Sequence, residues 1–85
     1  MAPDVADRAL GITRRLLGER LAGLPDDRAV LGARIDALDL DSLTKLELVL
    51  ELEDTFSLSL SETKIAACRT IGDLMDLVAG AAGGT

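Results

Sequence analysis

Histidine, tryptophan and tyrosine are absent from this 85-residue chain, which also has a single cysteine, a single phenylalanine and two prolines. Without histidine no Ser-His or Cys-His nucleophile pair can be assembled. Leu40 and Thr44 stand where a Gly-x-Ser-x-Gly elbow around Ser42 would need glycine, so Ser42 is not a hydrolase nucleophile. Bases of single-stranded nucleic acid have almost no aromatic faces to stack on, and a net charge of −6 opposes a phosphate backbone, so no nucleic-acid partner is expected. Cys68 has no second cysteine to pair with, and it reads as a small buried hydrophobe. No apolar run approaches the roughly 20 residues of a membrane span, and Met1-Ala2-Pro3-Asp4 has neither the basic nor the apolar region of a signal peptide. A soluble cytoplasmic protein with no membrane partner is expected. Asp39 and Asp41 have the spacing of a calcium-loop start. Leu43, Thr44 and Leu50 then occupy the third-ligand, tight-turn glycine and bidentate glutamate places, so no metal site is expected.

What is present is aliphatic. Hydrophobic residues make up 48% of the chain, nearly all Leu, Ala, Val and Ile, which favours a helical core. The length suits one domain with one modest core and is too short for an enzyme with a deep pocket, so no catalytic residue is assigned. Charge divides unevenly: residues 1–34 carry net +1 and residues 35–85 net −7, with only Lys45, Lys64 and Arg69 as cations in the acidic part. Such a surface suits basic partners and raises encounter rates.

Ser42 is the residue of most interest. Asp41 is a good helix cap, which places Ser42 in the first turn of an amphipathic helix over 42–56. Unpaired backbone amides and the positive end of the helix dipole favour an anionic substituent there, such as a phosphate. On a wheel of about 100° per residue, Leu43, Leu46 and Leu50 form one apolar stripe beside Ser42. Leu48, Val49, Leu52 and Phe56 form another on its other side. The second stripe reads as core. The first, bordered by Glu47 and Asp54 and joined by Asp39, Glu53 and the cation Lys45, reads as a docking surface.

Around this helix the chain organises simply. Asp4 is placed to cap a first helix running to about Gly23, with Val5, Ala9, Ile12, Leu16 and Leu17 inward and Arg8, Arg14, Arg15 and Arg20 outside. Gly23-Leu24-Pro25-Asp26-Asp27 stops it. A long connection follows, pinned by Val30, Leu31, Ile35 and Leu38. A short helix is expected over 61–67. Thr70 and Asp73 make a capping box that opens a last helix through Ala79, with Ile71, Leu74, Leu77 and Val78 inward and a flexible tail over 80–85. The fold class is all-α: a small four-helix bundle, three longer helices and one short, in one domain structured over about 4–79.

The three pieces Asp41-Ser42-Leu43, Glu47-Leu48-Val49 and Glu53-Asp54-Thr55-Phe56, in this register, resemble the phosphopantetheine-attachment segment and second helix of acyl carrier proteins. The resemblance is sharpest over 36–56 and looser over 4–79. It implies a 4′-phosphopantetheine arm from coenzyme A on Ser42, with Asp41 beside the site, and acyl cargo held as a thioester in a polyketide or fatty-acid pathway. Implied partners are a phosphopantetheinyl transferase and loading, ketosynthase or tailoring enzymes with basic docking surfaces; the chain itself would be a monomer and no enzyme. Two departures stand out: Asp39 replaces the usual glycine two residues before the Asp-Ser pair, and Ser57-Leu58-Ser59-Leu60-Ser61 lacks the proline many carriers have there. They tilt the reading toward a discrete bacterial carrier of a specialised polyketide pathway. An aminoacyl or peptidyl carrier and an unmodified acidic interaction module are the alternatives.

Overall fold

In the structure, a computed structural model, residues 5–83 are described. Five helices follow one another: α1 (Val5–Leu17), α2 (Asp27–Gly32), α3 (Ser42–Phe56), α4 (Glu62–Ala67) and α5 (Ile71–Gly83), with 3-10 turns at Gly18–Leu21 and Ile35–Leu38. The all-α bundle of three long helices is as expected. The correction is α2, a second short helix inside the connection read as a loop.

The cause is local. Asp26 is extended, and its carboxylate accepts a hydrogen bond from the Ala29 amide at 2.9 Å, so Pro25-Asp26-Asp27 starts a helix. Val30 anchors α2 with no exposed surface, and Leu31, Ile35 and Leu38 pack against the core around it, as expected. Helix α1 packs on both α3 and α5, while α2 packs on α5. Leu48, Leu52, Ile71, Met75 and Val78 fill the space between them, each at most 1% exposed.

Three further expectations are corrected. Helix α1 stops at Leu17, where Gly18 turns to positive φ and the tighter turn takes over, so the helix does not run to Gly23. Leu16 is exposed, and Leu10 and Thr13 take its place inside. The stripe is Ala9, Leu10, Thr13 and Leu17. Buried Thr13 satisfies its hydroxyl by donating to the Ala9 carbonyl at 2.9 Å, a polar residue hidden in an apolar period. At the other end, α5 continues to Gly83, so the segment read as a tail is helical that far. Ala81 and Ala82 are the best helix formers available and no proline stops them. The Asp4 cap and the last two residues lie outside the described part.

The capping box of α5 is present. Asp73 accepts from the Thr70 amide at 3.2 Å and donates its own amide to the Thr70 hydroxyl at 3.1 Å. Two backbone hydrogen bonds, Ile35 amide to Arg69 carbonyl and Ile71 amide to Ala33 carbonyl, clip the segment after α2 to the segment before α5. At that seam Gly72 lies so close to α2 that a β-carbon would sit 2.9 Å from the Leu31 carbonyl oxygen.

Candidate functional site

Ser42 is the first residue of α3 and is exposed. Asp41 caps the helix: its Oδ1 accepts from the Thr44 amide at 2.7 Å, and that bond holds the carboxyl below its ordinary pKa. The Asp41 carbonyl accepts from the Lys45 amide at 3.1 Å, which closes the first turn. The Ser42 hydroxyl therefore stands on a well-formed helix start, where amides without intrahelical acceptors suit an anion.

The loop before it is held in an unusual shape. Asp39, at the position where the resemblance expects glycine, has φ 56° and ψ 42°, the left-handed conformation that glycine adopts most readily. Aspartate is among the few other residues that tolerate it. Arg20, from the turn after α1, donates to the Asp39 carbonyl at 3.1 Å and clamps that conformation. Arg20 was read only as an outward-facing arginine, because nothing in its own neighbourhood of sequence points to a partner nineteen residues away.

Beyond Ser42 a groove of about 440 Å³ runs between α3 and α4. Leu46, Val49, Leu50, Leu60 and Ile65 give it apolar walls, with Ser42 and Lys45 at one end and Glu62 on the rim. A larger depression of about 700 Å³, between the end of α1 and Thr44, is bordered by Arg15, Glu19 and Arg20 and does not reach Ser42. The groove is the cavity tied to the hydroxyl.

The two leucine stripes separate as the helical wheel requires. Leu48 and Leu52 are buried, Val49 nearly so, and Phe56 is half-buried beneath the Arg8 guanidinium, 5.0 Å above the ring centre. Leu43, Leu46 and Leu50 are 63%, 53% and 53% exposed. Glu47 and Asp54 flank them in solvent, and Asp39 and Asp41 lie at the same end of the helix. These residues come together as one acidic-rimmed apolar surface.

Two residues assigned to that surface behave differently. Glu53 turns its carboxylate to the chain itself, accepting from the Leu60 amide at 2.7 Å and tying the loop after α3 to the helix. Lys45 stands at the border of the two stripes: with Ser42, Leu46 and Leu50 it lines the groove. It is half-buried and borders cavities shared with Ile35, Leu40, Leu48 and Ile65, on the core and α4 side. The wheel explains it: at three residues past Ser42 it falls about 60° to the side away from the leucine stripe, among Leu48, Leu52 and Phe56. Cys68 is half-buried as well. Desolvation first, then the Asp73 carboxylate, pushes its thiol above the ordinary value, so it stays protonated and donates to the Lys64 carbonyl at 3.4 Å. Among the described residues no group of acidic, histidine or cysteine side chains could hold a metal ion. No helix there is long and apolar enough to cross a membrane.

A family model described as a phosphopantetheine attachment site matches residues 12–78. The chain belongs to that family, among the acyl carrier proteins. The chloroplastic acyl carrier protein 1 of Cuphea lanceolata is 34% identical over 77 residues, covering 89% of this chain and 51% of the relative. The acyl carrier protein of Beutenbergia cavernae is 37% identical over 60 residues, covering 69% of this chain and 73% of its own. That of Chlamydia trachomatis serovar L2 is 31% identical over 65 residues, covering 76% and 84%. The chain spans about half the length of the plant relatives it matches. No solved structure matches. The family's prosthetic group is 4′-phosphopantetheine, and the residues present fit it: an exposed serine hydroxyl at a capped helix start would hold the phosphate, beside a groove with apolar walls.

Proposed function

We propose that Ser42 carries the 4′-phosphopantetheine arm and that its terminal thiol holds acyl intermediates as thioesters for a polyketide or fatty-acid pathway. The observation that carries this reading is the exposed Ser42 hydroxyl, set by the Asp41 cap at the start of α3 and at the mouth of the α3–α4 groove. Attachment forms one P–O bond at Ser42 Oγ. Coenzyme A loses adenosine 3′,5′-bisphosphate, and the hydroxyl proton goes to the transferase. The chain is a carrier and not a catalyst, and Leu43, Leu46 and Leu50 with Glu47 and Asp54 form the surface that partner enzymes grip. An apolar patch rimmed by one sign of charge suits enzymes with a basic rim.

Within the carrier class, Asp39 in place of glycine and the serine- and leucine-rich loop after α3 favour a discrete polyketide-type carrier, and Asp39 disfavours an aminoacyl one. Intact-protein mass after incubation with coenzyme A, magnesium and a broad-specificity transferase tests the site. One added phosphopantetheine on the parent chain and none on Ser42→Ala is expected. A folded parent chain left unmodified by several transferases would remove the reading in favour of an unmodified interaction module.

A further inference from the structure

Lys45 borders a second cavity on its far side. About 400 Å³ in volume, this cleft lies between the clipped segment after α2 and the end of α4. Arg34, Lys45 and Arg69 line it, together with apolar Ile35 and Leu40 and the thiol-bearing Cys68. Its one carboxylate, Asp36, is already engaged by Arg34, which donates Nε to Oδ1 at 3.1 Å and a terminal nitrogen to Oδ2 at 3.0 Å. Lys45 and Arg69 belong to none of the ion pairs formed among the described residues. Cys68 is protonated and adds no charge.

The neighbouring carboxylates offset these cations only in part. Asp73 offsets some of the charge of Arg69, but it accepts at Oδ2 from the Arg69 and Thr70 amides at 3.0 and 3.2 Å and is not part of the cleft lining. Glu53 and Glu62 face Lys45 only from the groove side, and Glu53 is occupied by the Leu60 amide. Of the three cations in residues 35–85, two therefore converge on one cleft, in a region whose net charge is −7. A cationic hollow in so acidic a surface calls for an anion.

Its place selects which anion. Lys45 and Ala66 border both this cleft and the groove that begins at Ser42, so the two hollows adjoin and the cleft lies one helical turn from the attachment serine. We propose that the cleft is a carboxylate-binding site that receives the free end of a dicarboxylic acyl group, of the malonyl type, carried on the Ser42 arm. The proposal rests on the attachment reading above. Tethering is what makes a site this open sufficient, because a ligand fixed to the same molecule has an effective concentration on the order of millimolar. A neutral alkyl acyl group has nothing to offer Lys45 and Arg69 and stays against the apolar groove. The cleft thus distinguishes extender-type cargo from plain acyl cargo.

The test loads the full chain through a transferase with malonyl-coenzyme A or with butyryl-coenzyme A, a neutral group of comparable length. Intact mass verifies each load. Nitrogen-15 spectra then follow the Arg34 and Arg69 side-chain Nε signals and the backbone of 66–69. Shifts in the malonyl form that are absent from the butyryl form, and that fade at 1 M salt, are the expected result. Lys45→Gln and Arg69→Gln, which keep much of each stem, should abolish the malonyl–butyryl difference while both loads still form. Identical spectra for the two loads would overturn the proposal, as would a difference that survives both substitutions in chains shown to be folded by circular dichroism. A folded chain that gains no mass would refute the attachment reading itself, and the cleft proposal with it.

Discussion

The seam between α2 and α5 can be tested by a single methyl group. Replacing Gly72 with alanine puts a β-carbon 2.9 Å from the Leu31 carbonyl oxygen, and 3.6 Å from both the Leu31 carbonyl carbon and the Thr70 hydroxyl. The closest of these atoms is backbone and cannot swing aside, so α2 or the start of α5 must shift. Overpacking of this kind costs about 1–3 kcal/mol. Alanine returns at most about 1 kcal/mol of helix propensity, and less in a first turn. The net expectation is a loss of about 1–2 kcal/mol, a fall in Tm of roughly 5–10 °C for a domain this small. Gly11 is the matched control. It lies inside α1, is exposed and has nothing within 4 Å of a new β-carbon, so Gly11→Ala should gain up to about 1 kcal/mol and raise Tm. Thermal and urea denaturation of the two variants beside the parent chain decide the matter. Equal stabilisation by both would refute the close approach of α2 to α5, and with it the packing that brings Arg34 and Arg69 to one cleft.

Asp39→Gly should stabilise the loop before Ser42 by about 0.5–1 kcal/mol, since release from the left-handed penalty outweighs the added chain entropy; Asp39→Val should destabilise, both read from urea midpoints. Leu50→Gln should leave stability within about 0.5 kcal/mol while slowing reaction with a cognate partner enzyme several-fold, whereas Leu52→Ala should cost about 2–5 kcal/mol. A loss of stability in the first comparable to the second would contradict their opposite placement. Asp41 and Asp73 both have lowered pKa values, each chiefly from backbone amide hydrogen bonds. A group depressed in the folded state stabilises above its unfolded pKa and loses that stabilisation as pH falls through the folded one. Stability should therefore hold from neutral pH down toward the ordinary aspartate value of 3.8 and decline below it. Asp41→Asn with Asp73→Asn, which can still cap, should flatten that acid limb in a pH series of urea midpoints.

Most of α3 was legible because every signal agreed there: a strong cap at Asp41, unbroken periodicity and two apolar stripes. The capping box at Thr70 and Asp73 was equally readable, since both partners lie within one turn. What escaped reading depended on distant partners or on two signals sharing one segment. Pro25-Asp26-Asp27 has the composition of a helix stop and of a helix start, and the buried Val30 shows that it begins α2, α1 having ended at Leu17. Thr13 and Met75 meet in the core from sixty-two positions apart. Lys45 is instructive for the opposite reason. Its angle on the wheel places it beside the core residues, and it borders both a core-side cavity and the groove it shares with Leu46, Leu50 and Glu53. The clustering of Arg34, Lys45 and Arg69 required the clip between 33–35 and 69–71, which no local pattern encodes.

Because the buried leucines of α3 lie on one side and the exposed ones on the other, selection can act on the two sets separately. Leu43, Leu46 and Leu50 are free to drift, or to be exchanged by an engineer, without drawing on the reserve of stability that Leu48 and Leu52 supply. A lineage of such chains could be re-addressed from one set of enzymes to another by a handful of surface changes, each viable on its own. Where the two sets overlapped, every change of clientele would first have to survive a crisis of folding.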